Sequence, residues 1–168
     1  MVAGVGAGAL ALCGPAMAQT VTVHDVAGDM STGGDVRQVR IVHEGRVVVR
    51  VHHKDLREDG AEGEQVFFDT NRSRPGPEYV ISAGLFDGTD YFLSTVTRSW
   101  KQDWRVTCSY RAHVDYDTET SVYRLDRACL GNPKQVRVAV RTASSLPSGV
   151  ERDWLTGYRH WTDPVRHG

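Results

Sequence analysis

Two cysteines, Cys108 and Cys129, bracket a stretch whose residues alternate between apolar and polar. Val106, Cys108, Tyr110, Ala112, Val114 and Tyr116 form one set; Thr107, Ser109, Arg111, His113 and Asp115 form the other. A period of two places the sets on opposite faces of a β-strand. Asp117-Thr118-Glu119-Thr120 reads as a polar turn, and Ser121-Val122-Tyr123-Arg124-Leu125 as the returning strand. With Tyr116 facing Ser121, Cys108 falls opposite Cys129, so the pattern predicts a disulfide-linked hairpin. Closing a loop of about 20 residues contributes roughly 3 kcal/mol and points to an oxidising compartment.

The N-terminus agrees with that compartment. Residues 1–18 carry no charge, run apolar from Val2 to Leu12, and end Ala16-Met17-Ala18, a small-x-small cleavage pattern. We read residues 1–18 as a signal peptide and residues 19–168 as one secreted domain. No Lys or Arg precedes the apolar run, which places the expected start codon upstream of Met1. The run is too short for the ~20 apolar residues of a membrane span, so no stable membrane insertion is expected. Cys13 would leave with the leader, and the remaining cysteines make one pair. A formal charge of −1 gives no sign of a nucleic-acid partner.

Strand signals dominate the domain. Thr20-Val21-Thr22-Val23 precedes a Gly-rich loop over residues 28–34. Val39, Ile41 and His43, then Val47, Val49 and Val51, define a hairpin around a three-residue Glu44-Gly45-Arg46 loop. That register sets Arg40 opposite Arg50 and turns His53 inward near Arg37. Further strands are expected at residues 65–68, 78–82, 91–96 and 135–141, with a charged loop at 54–64 and a Pro75-Gly76-Pro77 loop. The absence of long amphipathic helices disfavours parallel α/β architecture. The prediction is an all-β, antiparallel, jelly-roll-like β-sandwich of about nine or ten strands. Trp154, Tyr158 and Trp161 have helical spacing, but Gly157 and Asp163-Pro164 oppose a long helix; the rings are expected to staple the C-terminus to the sandwich edge.

Catalytic patterns are absent: there is no G-x-S-x-G elbow, H-E-x-x-H, phosphate loop or C-x-x-C. Asp69 and Asn71 lie two apart in a loop and could share calcium with Asp87 or Asp90 from the next turn, although Asx residues also start turns by themselves. The expectation is no cofactor, with calcium at Asp69, Asn71 and Asp87 the one alternative left open. Trp100 and Trp104 are the candidate ligand-binding residues, since an exposed indole stacks on the apolar face of a sugar and a buried one fills a core.

The runs VFFDTNRSRPGPEYVIS (66–82) and DYDTETSVYRLDRACLGNP (115–133), with the tail DWLTGYRHW (153–161), resemble small secreted bacterial β-sandwich proteins of the fold group shared by DOMON domains and family-9-like carbohydrate-binding modules. The resemblance is at the level of fold, and relatives in that group bind sugars or haem or tether larger enzymes. Haem ligation there commonly uses Met and His; Met30 is the thioether available to the mature chain, and it lies in the Gly-rich loop.

The leading expectation is therefore a secreted, non-catalytic recognition domain with carbohydrate, such as a cell-envelope glycan, as ligand. The alternatives are a scaffold that docks a protein partner, and an enzyme assembling His43, His113 or His160 with an aspartate. Nothing in the sequence specifies an oligomeric state.

Overall fold

The structure, a computed structural model, describes residues 19–168; the signal peptide read at residues 1–18 lies outside them. Twelve strands form two antiparallel sheets. They are β1 (Gln19–His24), β2 (Val36–His43), β3 (Arg46–His53), β4 (Glu62–Asp69), β5 (Tyr79–Gly84), β6 (Tyr91–Val96), β7 (Gln102–Arg105), β8 (Tyr110–Asp115), β9 (Thr120–Asp126), β10 (Gln135–Leu146), β11 (Gly149–Trp154) and β12 (Val165–Arg166). The first sheet has the order β1-β2-β3-β9-β8. The second runs β11-β10-β4-β5-β6-β7, with β12 beside β10. No described helix is long and apolar enough to cross a membrane.

Alternation explains the layering. Val39, Ile41, Val47, Val49 and Val51 from the first sheet pack against Val66, Phe68, Ile81, Leu93 and Val138 from the second. In β2 and β3 one side-chain row is hidden between the sheets and the other lies outside. The β2–β3 ladder has the expected register: His43 faces Val47 across the three-residue loop, and Arg40 faces Arg50.

The cystine hairpin forms with two corrections. Asp115 faces Thr120 and Val114 faces Ser121, so the register is two residues from the expected one. A slip of two leaves every side chain on its face, because the pleat repeats every two residues. The cause is local: Asp115 accepts a 3.0 Å hydrogen bond from Thr118 N and starts the turn one residue early. Cys129 also lies on a 3-10 turn (Arg127–Leu130), not on a strand. Gly131, at φ 75°, closes that turn, and Cys129 still reaches Cys108 with a Cα–Cα distance of 5.6 Å.

Other expectations also change. β4 and β10 are longer than read, and β7, β11 and β12 were not foreseen. The C-terminal aromatics are not helical. Trp154 ends β11, and with Trp100 and Trp161 it covers Phe67 on the outer face of the second sheet rather than at its edge.

His53 is inward, opposite Val36, but its side chain and that of Arg37 take different partners. Irregular pairing between Val36 and Gln38 breaks the register there, and Arg37 forms an ion pair with Asp35. His53 instead meets Glu64 of the opposite sheet.

Candidate functional site

Three carboxylates meet where the edge strands β1 and β11 of the two sheets converge. Asp25 follows β1, Asp29 lies in the next loop, and Asp153 sits on β11. Each offers an oxygen, and the three oxygens lie within 4.8 Å of one another. Gly33 helps hold the loop in place: Asp55 N donates to its carbonyl at 3.1 Å, and a Cβ at Gly33 would overlap the Asp55 carbonyl oxygen.

Backbone N–H groups orient the carboxylates. Asp153 Oδ2 accepts a 2.7 Å bond from Val36 N. Asp25 Oδ1 accepts from Val26 N and from Thr156 N, both at 2.9 Å. The second oxygen of each group, Asp153 Oδ1 and Asp25 Oδ2, is buried without a hydrogen-bond partner. Asp153 is 2% exposed. Asp35 stands beside the cluster, neutralised by Arg37 at 3.0 Å. Among the described residues no cation pairs with Asp25, Asp29 or Asp153.

The electrostatic consequence is large. Burial raises the Asp153 carboxyl from 3.8 to about 7; the Val36 N–H opposes the rise, and the charges of Asp29, Asp25 and Asp35 add to it. Asp29 is raised as well, first by burial and then by its bond with Asp35 and the charge of Asp25. Orphaned, mutually repelling carboxylate oxygens are what a hard cation relieves. An all-oxygen set suits calcium, with backbone oxygens or water completing six to eight ligands; zinc would call for His or Cys.

The residues nominated from sequence are placed elsewhere. Asp69 is buried at one end of β4, where it takes the Arg137 guanidinium and receives Asn71 N at 3.1 Å. Asn71 accepts from Ser73. Asp87 lies past the other end of the β4–β5 ladder, with its N–H on Glu58 O at 2.9 Å. The fold does not bring Asp69 and Asn71 together with Asp87.

Trp100 and Trp104 also separate. Trp100 is half-buried, 4.9 Å from the rings of both Phe67 and Trp161. Trp104 is 77% exposed on the edge strand β7. Gln102, on the same strand, and Gln65 both donate to Ser82 Oγ, at 2.6 and 3.2 Å, in a polar row on the second sheet's outer face. Gln65, Ser82, Phe92 and Arg141 line a shallow depression of about 270 Å³ there.

The histidines do not converge. His43 is buried, donates through Nδ1 to Val165 O, and is lowered by burial. His113 is exposed on β8. His160 is tied to Thr156 O in the C-terminal segment. Ser121, His53 and Glu64 do cluster, but Ser121 Oγ and Glu64 Oε2 both address His53 Nε2 while Nδ1 donates to Gly34 O. A hydrolytic triad needs its acid on the nitrogen opposite the serine, and all three residues are within 1% of complete burial. Met30, also buried, accepts Thr142 Oγ1 at its sulfur and has no access to a haem.

Sequence reasoning missed Asp25, Asp29 and Asp153. Asp25 and Asp29 share a polar loop, but only the docking of β11 beside β10 brings Asp153 to them.

No protein-family profile matches the chain, and no curated protein matches it. The class that fold and site define is a generic antiparallel β-sandwich carrying an acidic cluster.

Proposed function

We propose that the chain is a secreted, non-catalytic recognition domain with a calcium ion bound between its sheet edges and a carbohydrate as ligand. The carrying observation is the Asp25–Asp29–Asp153 cluster, whose buried Asp153 oxygen lacks any partner. Calcium there would join the β1–β2 loop to β11 and clamp the two sheets. The disulfide supports the extracellular reading. The carbohydrate reading draws on Trp104, 77% exposed on the edge strand β7; an exposed indole face is the chemistry that stacks on a pyranose.

Two measurements test this. Terbium luminescence, sensitised by nearby tryptophan, should rise on titration into the chelator-treated protein and fall on adding calcium; no signal would remove the cation. A glycan array probed with oxidised, calcium-loaded protein should give binding that Trp104→Ala abolishes. An array with no positive feature would leave the scaffold reading, which the fully exposed edge strand β7 favours.

A further inference from the structure

We propose that the outer face of the first sheet is a docking surface for a linear acidic polysaccharide, one bearing a carboxylate on its sugar units. This face is separate from the Trp104 surface on the second sheet, and the proposal stands without it.

The observation is a repeated violation of cross-strand charge pairing. Arg40 on β2 lies directly opposite Arg50 on β3. Arg124 on β9 lies directly opposite Arg111 on β8. All four are exposed on one face, because Val39, Ile41, Val49, Tyr123 and Leu125 fill the other. Directly opposed side chains start only about 5 Å apart, and like charges in that position destabilise a sheet. None of the four makes an ion pair among the described residues.

On their other sides these arginines face uncharged ladder partners. Thr22 faces Arg40 from β1, Val122 faces Arg50 from β9, and Val48 faces Arg124 from β3. Two carboxylates border one end of the band: Glu44 shares a shallow depression with Arg124 and Val48, and Asp126, bound to Arg46 at 2.7 Å, lies beside Arg111 and Arg124; neither forms an ion pair with any of the four, and Asp115 caps Thr118 N. Like-charge pairs in two of the strand pairs, β2–β3 and β8–β9, are relieved by an anion long enough to span both.

The face specifies the kind of anion. It crosses β2, β3, β9 and β8, about 15 Å at sheet spacing, so the ligand is extended. Valines separate the two arginine pairs, and no Trp, Phe or Tyr projects among them, so there is no stacking platform for bases and no wedge for a bilayer. Gln38 and His52, opposite one another, and His113 beside the band supply hydrogen bonds for hydroxyl groups. Guanidinium forks match planar carboxylates in a bidentate manner.

The test uses the full oxidised chain, titrated calorimetrically with hexagalacturonate, the equivalent neutral galactan hexamer and a sulfated galactan hexamer. Hexagalacturonate should bind at least tenfold more tightly than either, and more weakly as salt rises. Arg50→Glu and Arg124→Glu should each lower that affinity at least tenfold. Each should also raise the unfolding temperature, because it replaces a like-charge pair with an opposite one. A merely structural role for these arginines predicts no such opposition of binding and stability. Equal affinity for the neutral hexamer, preference for the sulfated one, or preferential binding to phosphatidylglycerol vesicles or single-stranded DNA would each overturn the proposal. So would charge-reversed variants that keep wild-type affinity. Glycan-array binding lost in Trp104→Ala would survive any of these results.

Discussion

Asp153 on β11 accepts a 2.7 Å hydrogen bond from the backbone N–H of Val36 at the start of β2. One oxygen of this buried carboxyl thus ties the second sheet to the first, while the other is buried without a hydrogen-bond partner, and the group lies in the cluster with Asp25 and Asp29.

The pH dependence follows with a definite sign. Asp153 is raised to about 7 in the folded chain, first by burial, against about 3.9 when unfolded. A carboxyl raised on folding is most stabilising while protonated. Without calcium, stability is therefore full below about pH 4 and falls as pH rises through about 7, by up to about 4 kcal/mol. Urea unfolding at pH 4.5 and pH 8 checks this. Asp153→Asn should flatten the profile and remove terbium binding.

Calcium should reverse that loss. At a hundredfold excess over its dissociation constant it adds about 2.7 kcal/mol, because it binds only the folded cluster. Thermal unfolding with and without chelator at pH 7.5 reads the gain, which should shrink below pH 6 as Asp153 regains its proton.

The Cys108–Cys129 bridge closes a 21-residue separation. Reduction, or Cys129→Ala, should cost about 2–5 kcal/mol. Equal thermal stability in oxidised and reduced protein would contradict this.

His53 Nε2 and Glu64 Oε2 lie 3.1 Å apart with both side chains fully buried. Glu64→Ala should destabilise by about 1–3 kcal/mol, since it strands the imidazole and takes the acceptor from Ser121. Glu64→Gln should cost clearly less. Denaturant unfolding of the two variants distinguishes a paired group from simple loss of volume.

Two aromatic substitutions should part company. Phe67 is 1% exposed beneath Trp100 and Trp154, so Phe67→Ala should cost about 3–5 kcal/mol. Trp104 is 77% exposed, and Trp104→Ala should stay within about 0.5 kcal/mol of wild type. Chemical denaturation measures both.

Where hydrophobic alternation was strong, the fold was legible. Val39 through Val51 announced a hairpin, its loop length and its Arg40–Arg50 pairing, because strand period and turn length act locally. The cystine hairpin was legible to within two residues, its slip caused by the Asp115 cap that hydrophobic pattern does not encode. β7 and β11 were not legible. Gln102 to Arg105 are all exposed and Gly149 to Glu151 carry little apolar pattern, so only their neighbours β6 and β10 make them strands.

The amino-acid order alone determined an all-β chain, the inward and outward rows of its clearest strands, and which two cysteines join. Tertiary structure decided everything that depends on sheet order. β10 docks between β4 and β11, which brings Asp153 to Asp25; β9 docks between β3 and β8, which sets a second arginine pair beside the first. Side-chain alternation is a property of one strand, whereas a cation site or a charged face is made of residues from strands far apart in the chain, and their meeting is fixed by how the whole core packs.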